Sequence, residues 1–447
     1  MGLLEYCKKT VDEALRLGAE AVDVYGVDVE AIRVEVRKNK IETSKAIHDV
    51  GLGLRAIVRG SMGYSYVSGL DVNISDVVRK AVKAAKVGYP DPDFKDLPKP
   101  SSYPSPQGTY DDKIASLTPE ELTDLAASLI KKVKMNNIHS INIVIESSKF
   151  KCFIVNSNGV EGVDEGTYLR FLVYITARDG VNMSSSYDGD VVRIMKDIDM
   201  ESMITRTAQE AVRGLKARPY RTTKVPVILS GKALLAVIVE GVASALNADL
   251  IQRGRSYMTT RLNEKISVEA FTIIDDGLVD GGPLTRRFDV EGTPRQRTTL
   301  IEGGFVRSLL HNSYTSGKAG TKSTGNASRS GGPLDFRGQV TIAPSNVLVE
   351  LGDWSLEEML EEVKNGLLIL DTNDTPNIAT GELSAMITHG YVVEGGEVKD
   401  PVKQTLFAFN ITDFAKKIKA IGRERSKHFN LYSPPILASE VQVSSKA

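Results

Sequence analysis

Residues 88–108 hold six of the chain's 17 prolines: Pro90, Pro92, Pro98, Pro100, Pro104 and Pro106. Each proline fixes φ and removes an N–H, so this stretch can form neither a helix nor a central strand. It must run extended over the surface, and it separates the segments on its two sides.

These flanking segments read as two copies of one unit. The first opens with a helix whose Leu4, Cys7, Val11, Ala14 and Leu15 share a face. Strands are expected next at residues 22–24, 32–36 and 52–58. A turn at Arg59-Gly60 leads to another short strand, and a helix over residues 75–87 closes the unit. The second opens at Thr118-Pro119-Glu120-Glu121, which combines a Thr N-cap, Pro at the first helical position and Glu three residues after the cap. Strands are expected at residues 141–145, 152–155 and 169–177, with turns at 156–159 and 178–180, before a helix over 200–215. Leu54-Arg55-Ala56-Ile57-Val58 matches Val173-Tyr174-Ile175-Thr176-Ala177 ahead of Arg-Gly and Arg-Asp-Gly turns.

From Arg221 the pattern changes. A strand at 225–229 turns at Ser230-Gly231 into a helix over 232–246. Beyond it lie many short strands with Gly- and Pro-bearing turns, as in a closed or strongly curved sheet. One helix, capped by Ser355 with Glu358 completing a capping box, interrupts them. A chain of 447 residues exceeds the roughly 250–300 that one core supports. The expectation is an α+β protein with two domains. Residues 1–219 form an α/β domain with duplicated halves of about 1–88 and 109–219, and residues 220–447 form a β-rich, barrel-like domain.

The 56 basic residues nearly balance the 57 acidic ones, which argues against nucleic acid as a partner. No apolar run reaches the roughly 18–20 residues of a membrane span. The N-terminal stretch lacks a basic region followed by an apolar one, so no signal peptide is expected. Two cysteines, Cys7 and Cys152, in different segments fit no disulfide framework. The expected location is the cytoplasm.

Local chemical motifs are few. The five histidines (His48, His139, His311, His389 and His428) are too scattered for two to chelate a metal from one helix. Gly231-Lys232 and residues 317–323 lack the spacing of a phosphate loop. The Gly/Ser/Thr-rich stretch 315–332 reads as a flexible surface loop. Asp275-Asp276 would point to opposite faces of a strand, and the adjoining Gly277 favours a turn there.

One longer segment carries a resemblance. Val239-Glu240-Gly241-Val242-Ala243-Ser244 precedes Asn247-Ala248-Asp249 and Arg253-Gly254. It resembles the TldD/PmbA family, once labelled modulators of DNA gyrase, whose catalytic members carry His-Glu-x-x-x-His here. In those members the histidines and a C-terminal cysteine hold zinc, and the glutamate is the general base. Here Val239 and Ser244 stand at the histidine positions, Glu240 remains, and no cysteine lies beyond Cys152. Valine offers no lone pair and a serine hydroxyl is a poor zinc ligand. Phe288-Asp289-Val290-Glu291-Gly292, Ile301-Glu302-Gly303-Gly304, Ser313-Tyr314-Thr315, Lys322-Ser323-Thr324-Gly325-Asn326-Ala327, Ile378-Ala379-Thr380-Gly381-Glu382 and Gly390-Tyr391-Val392-Val393-Glu394-Gly395 resemble the metal-free PmbA/TldE branch in collinear order.

The resemblance implies a subunit of a metallopeptidase complex that is inactive alone and binds no cofactor itself. Zinc would reside in a TldD-like catalytic partner, and the substrate would be a peptide or unfolded polypeptide held as an added strand. Residues Lys322, Ser323, Thr324, Gly325 and Asn326 would then contact substrate or partner. Glu240 would be a vestigial general base, or a structural group paired with Arg253 or Arg255. The alternatives are a stand-alone homodimeric peptide-binding protein, and a metal-independent peptidase using a serine of the 316–329 stretch.

Overall fold

The computed structural model describes residues 2–69 and 73–445. The first half of the chain builds α1 (Leu3–Arg16), β1 (Ala21–Arg37), β2 (Lys40–Val58), β3 (Ser61–Ser68) and α2 (Ile74–Val87). After the proline-rich connection come α3 (Pro119–Lys132), β4 (Ile138–Asn156), β5 (Glu161–Asp179), β6 (Asn182–Val192) and α4 (Met200–Arg213). Apart from a one-turn helix at Asp112–Ala115, each half thus has the order helix, three strands, helix. The six strands form one sheet in the order β3-β2-β1-β4-β5-β6, with β1 and β4 antiparallel at its centre.

Local chemistry sets these elements. Cys7, Val11 and Ala14 make the buried stripe of α1, and Thr118 caps α3 in a reciprocal capping box with Glu121. The positive φ at Arg59 and Gly60 closes the β2–β3 turn. The strands are longer than the alternation of the sequence indicates. Residues 22–24 and 32–36 belong to one strand, as do 141–145 and 152–155. The charged residues that interrupt the apolar pattern of β1 find neighbours across the sheet: Asp28 meets His48 at 2.8 Å and Glu30 meets Lys149 at 3.0 Å.

Among the described residues the second half forms two larger curled sheets and a two-stranded pair, Ala327–Arg329 with Val340–Ile342. In one, β7 (Thr223–Leu229) lies between Ile436–Ser445 and Asn365–Asp371. The other centres on Ile273–Asp276 and Asn346–Val349. Side chains of both sheets share one large core, and the helical segment 231–246 is threaded into it through Val237, Ile238, Val239 and Val242. Asp275 and Asp276 end a strand and are both buried, and the expected turn follows them at Gly277, where Asp276 Oδ1 accepts the Leu278 N–H at 2.9 Å. Among the described residues no helix is long and apolar enough to cross a membrane.

The two halves meet where Tyr25, Val27, Phe150, Cys152 and Ile154 of the six-stranded sheet pack on Phe288, Val290 and Phe336.

Candidate functional site

The helix over 231–246 is not regular. One α-turn (Gly231–Leu234) leads into a π-helix, Leu235–Ala243, and then a 3-10 turn, Ser244–Leu246. This winding decides what the segment can present. In an α-helix, positions five apart lie about 140° from one another around the axis. Here the Ser244 N–H donates to the Val239 carbonyl, an i→i+5 bond that stacks the two positions one above the other. π-turns concentrate at functional sites.

The side chains at this stack do not suit a metal. Val239 is buried in the core and Ser244 is half-buried. Among the described residues no group of three or more His, Cys, Asp and Glu side chains converges to hold an ion. A valine side chain has no donor atom and a serine hydroxyl is a poor zinc ligand, so the two stacked positions do not supply the donor set that zinc takes.

Glu240 is exposed on the same segment. Solvent reaches it, yet neighbouring protein desolvates its carboxyl enough to raise its pKa above the ordinary carboxylate value. Pro376 and Ile411 pack beside Gly241, and the Tyr257 hydroxyl donates to the Gly241 carbonyl at 2.9 Å. Among the described residues no ion pair joins Glu240 to Arg253 or Arg255; Arg253 binds Asp249 at 2.8 Å instead.

The 315–332 stretch is a surface loop only in part: residues 318–322 are exposed, but residues 324–329 are buried, which corrects the expectation of a flexible surface loop throughout. Ser313–Ala319 is helical and Ala327–Arg329 is a strand. Thr324, Gly325 and Asn326 are buried, Ser323 is half-buried and Lys322 is exposed. Gly325 has φ +70°, and a Cβ there would meet the Pro294 carbonyl at 2.5 Å. Three separated segments converge on this stretch. Asp289 accepts the N–H groups of Glu291, Thr293 and Ala327, each at 3.0 Å. Glu291 accepts both the N–H and the hydroxyl of Ser313 at 2.8 Å. Glu291 also pairs with Arg55 of β2, which in turn binds Asp23 of β1. Burial, and then the charge of Glu291, push the Asp289 carboxyl upward.

Sequence reasoning missed this junction. Its one signal was Arg55, a lone charge inside the apolar run from Leu52 to Val58. No hydrogen bond or ion pair joins Glu240 to residues 322–326 among the described residues. In the helix that follows, Gln252 Nε2 donates to the Thr315 carbonyl at 2.8 Å.

Ser316 Oγ donates to the Ser313 carbonyl and Ser323 Oγ to the His311 carbonyl. Lys318 pairs with Asp93 at 2.6 Å. Among the described residues neither serine is hydrogen-bonded to a lysine or histidine side chain, the arrangement an activated hydroxyl needs.

A groove of about 960 Å³ opens beside this junction. Residues 95–101 of the proline-rich connection form one wall, and Thr293, Ser313, Ser316, Lys322 and Ser323 contribute to the other. A second polar pocket, about 260 Å³, lies between β6 and the second half. It holds Lys232 with Asp188 at 3.3 Å and Asp371 at 3.6 Å, together with His389 and His428.

Comparison with known proteins places this arrangement. The sequence matches models of PmbA/TldA metallopeptidase domain 1 over residues 22–85, the central domain over 112–218 and the C-terminal domain over 222–445. A metalloprotease of Methanocaldococcus jannaschii is 25% identical over 409 residues, covering 88% of each chain. A metalloprotease PmbA homolog of Buchnera aphidicola is 24% identical over 461 residues, 97% of this chain and 96% of that one. The crystal structure of TldE from Thermococcus kodakarensis superimposes with a TM-score of 0.88 at 21% identity, over 98% of this chain and 99% of that one.

Proposed function

The chain belongs to the PmbA/TldD metallopeptidase family, and we propose that within it this protein is the TldE-type subunit, which shapes a substrate chamber while a TldD-type partner carries the zinc and cuts the polypeptide. The observation that carries this reading is the π-turn. It stacks positions 239 and 244, five residues apart, beside an exposed glutamate, and fills them with Val239 and Ser244. Without the ion nothing brings the pKa of a water molecule toward neutrality or polarises a carbonyl, so Glu240 has no nucleophile to activate. The carbonyl-bound hydroxyls of Ser316 and Ser323 weigh against a metal-independent peptidase. Cys7 and Cys152, both buried and unpaired, support a reducing compartment such as the cytoplasm.

Elemental analysis of the purified chain, with peptide hydrolysis measured before and after adding a TldD-type chain, tests the proposal. It expects no stoichiometric zinc and turnover only in the mixture. Chelator-sensitive turnover by the isolated chain would refute it.

A further inference from the structure

The proline-rich connection offers an unused hydrogen-bonding edge. Pro98 and Pro100 alternate with Lys99 and Ser101 along the groove wall. The segment is pinned to the sheet by carbonyls: Asn158 Nδ2 donates to Leu97 O at 2.9 Å and Asn156 Nδ2 to Pro98 O at 2.8 Å. The prolines have no N–H to leave unsatisfied. The N–H groups of Lys99 and Ser101, among the described residues, donate to no acceptor in the protein. They are two residues apart in a stretch that is neither helix nor turn, and an extended chain spaces such residues by about 6 to 7 Å, the repeat between alternate residues of a β-strand.

The charge around them is one-sided. Lys95, Lys99 and Lys322 line the groove with Asp96. Asp96 pairs with Lys99 at 3.7 Å, and no carboxylate pairs with Lys95 or Lys322 among the described residues.

From this we propose that the groove between residues 95–101 and 321–323 is a subsite for an extended, acidic polypeptide segment, held through the N–H groups of Lys99 and Ser101 and flanked by Lys95 and Lys322. The proposal rests on the reading of this chain as a chamber-forming subunit, and names the part of the chamber that grips the substrate. Backbone pairing supplies affinity without regard to sequence, and the lysines favour acidic side chains near it.

The test uses the full chain alone with a fluorescent, unstructured Glu-rich peptide, followed by anisotropy. Ser101→Pro removes only one donor from a segment already rich in proline and should weaken binding about tenfold. Ser101→Ala keeps the N–H and should stay within about twofold of the native chain. Lys322→Glu should weaken the Glu-rich peptide and not a Lys-rich one. Hydrogen exchange on the native chain is an independent arm: the Lys99 and Ser101 amides should gain protection when the peptide saturates. Equal affinities for Ser101→Pro and Ser101→Ala, or no added protection at these two amides, would overturn the proposal. Neither result bears on zinc content or on turnover with a TldD-type chain, so the two readings fail separately.

Discussion

Arg55 and Glu291 sit 2.8 Å apart with side-chain exposures of 1% and 0%, joining the six-stranded sheet to the turn that supports residues 313–327. Arg55 also pairs with Asp23, so losing Arg55 strands two buried carboxylates, whereas losing Glu291 leaves Arg55 paired with Asp23; breaking a buried pair typically costs about 3–5 kcal/mol. Arg55→Ala should lower the urea midpoint of unfolding by at least that equivalent, and Glu291→Ala by less. Replacing Asp23, Arg55 and Glu291 together by apolar residues of similar size should cost less than Arg55→Ala alone, since none of the three charges then remains.

His428 gives the stability a pH dependence. Burial, then the nearby Lys232 amine, push its imidazole down to about 4. The unfolded chain binds a proton near pH 6.5. Between these values the unfolded state holds more protons, so stability is full above about pH 6.5 and falls as pH drops toward 4. The loss amounts to at most about 3 kcal/mol. Denaturation curves from pH 7 to 4 should show this slope, and His428→Gln should flatten it.

Glu240 is exposed and, among the described residues, forms no ion pair or side-chain hydrogen bond. Glu240→Gln should therefore change stability by no more than about 0.5 kcal/mol. Turnover by the mixture with a TldD-type chain should also be unchanged. A large drop in turnover with native stability would assign the carboxylate a role in the reaction.

Gly325 tolerates no side chain. An alanine there must adopt φ +70° and place its Cβ 2.5 Å from the Pro294 carbonyl oxygen. Gly325→Ala should cost more than about 1 kcal/mol, visible as a lowered melting temperature. It should also weaken peptide binding at the adjoining groove.

The elements with local causes are legible in the order of residues. The capping boxes at Thr118 and Ser355, the Arg59-Gly60 turn and the proline-rich connection all lie where local residue preference places them. The 315–332 stretch is not legible in this way, because Gly, Ser and Thr look mobile when nothing distant is considered. Burial of Thr324 and Asn326 comes from partners far away in sequence, Asp275 among them, which accepts from Asn326 Nδ2 at 2.8 Å.

By itself the sequence determined the α+β class, the matching order of helices and strands on either side of the prolines, and the family, because periodicity, capping and collinear motifs are local properties. Only the tertiary structure decided that residues 235–243 wind as a π-helix, that Asp23, Arg55 and Glu291 share one buried site, and that Lys99 and Ser101 line an open groove. Each of these depends on burial and on partners brought from distant positions, which residue order alone does not specify.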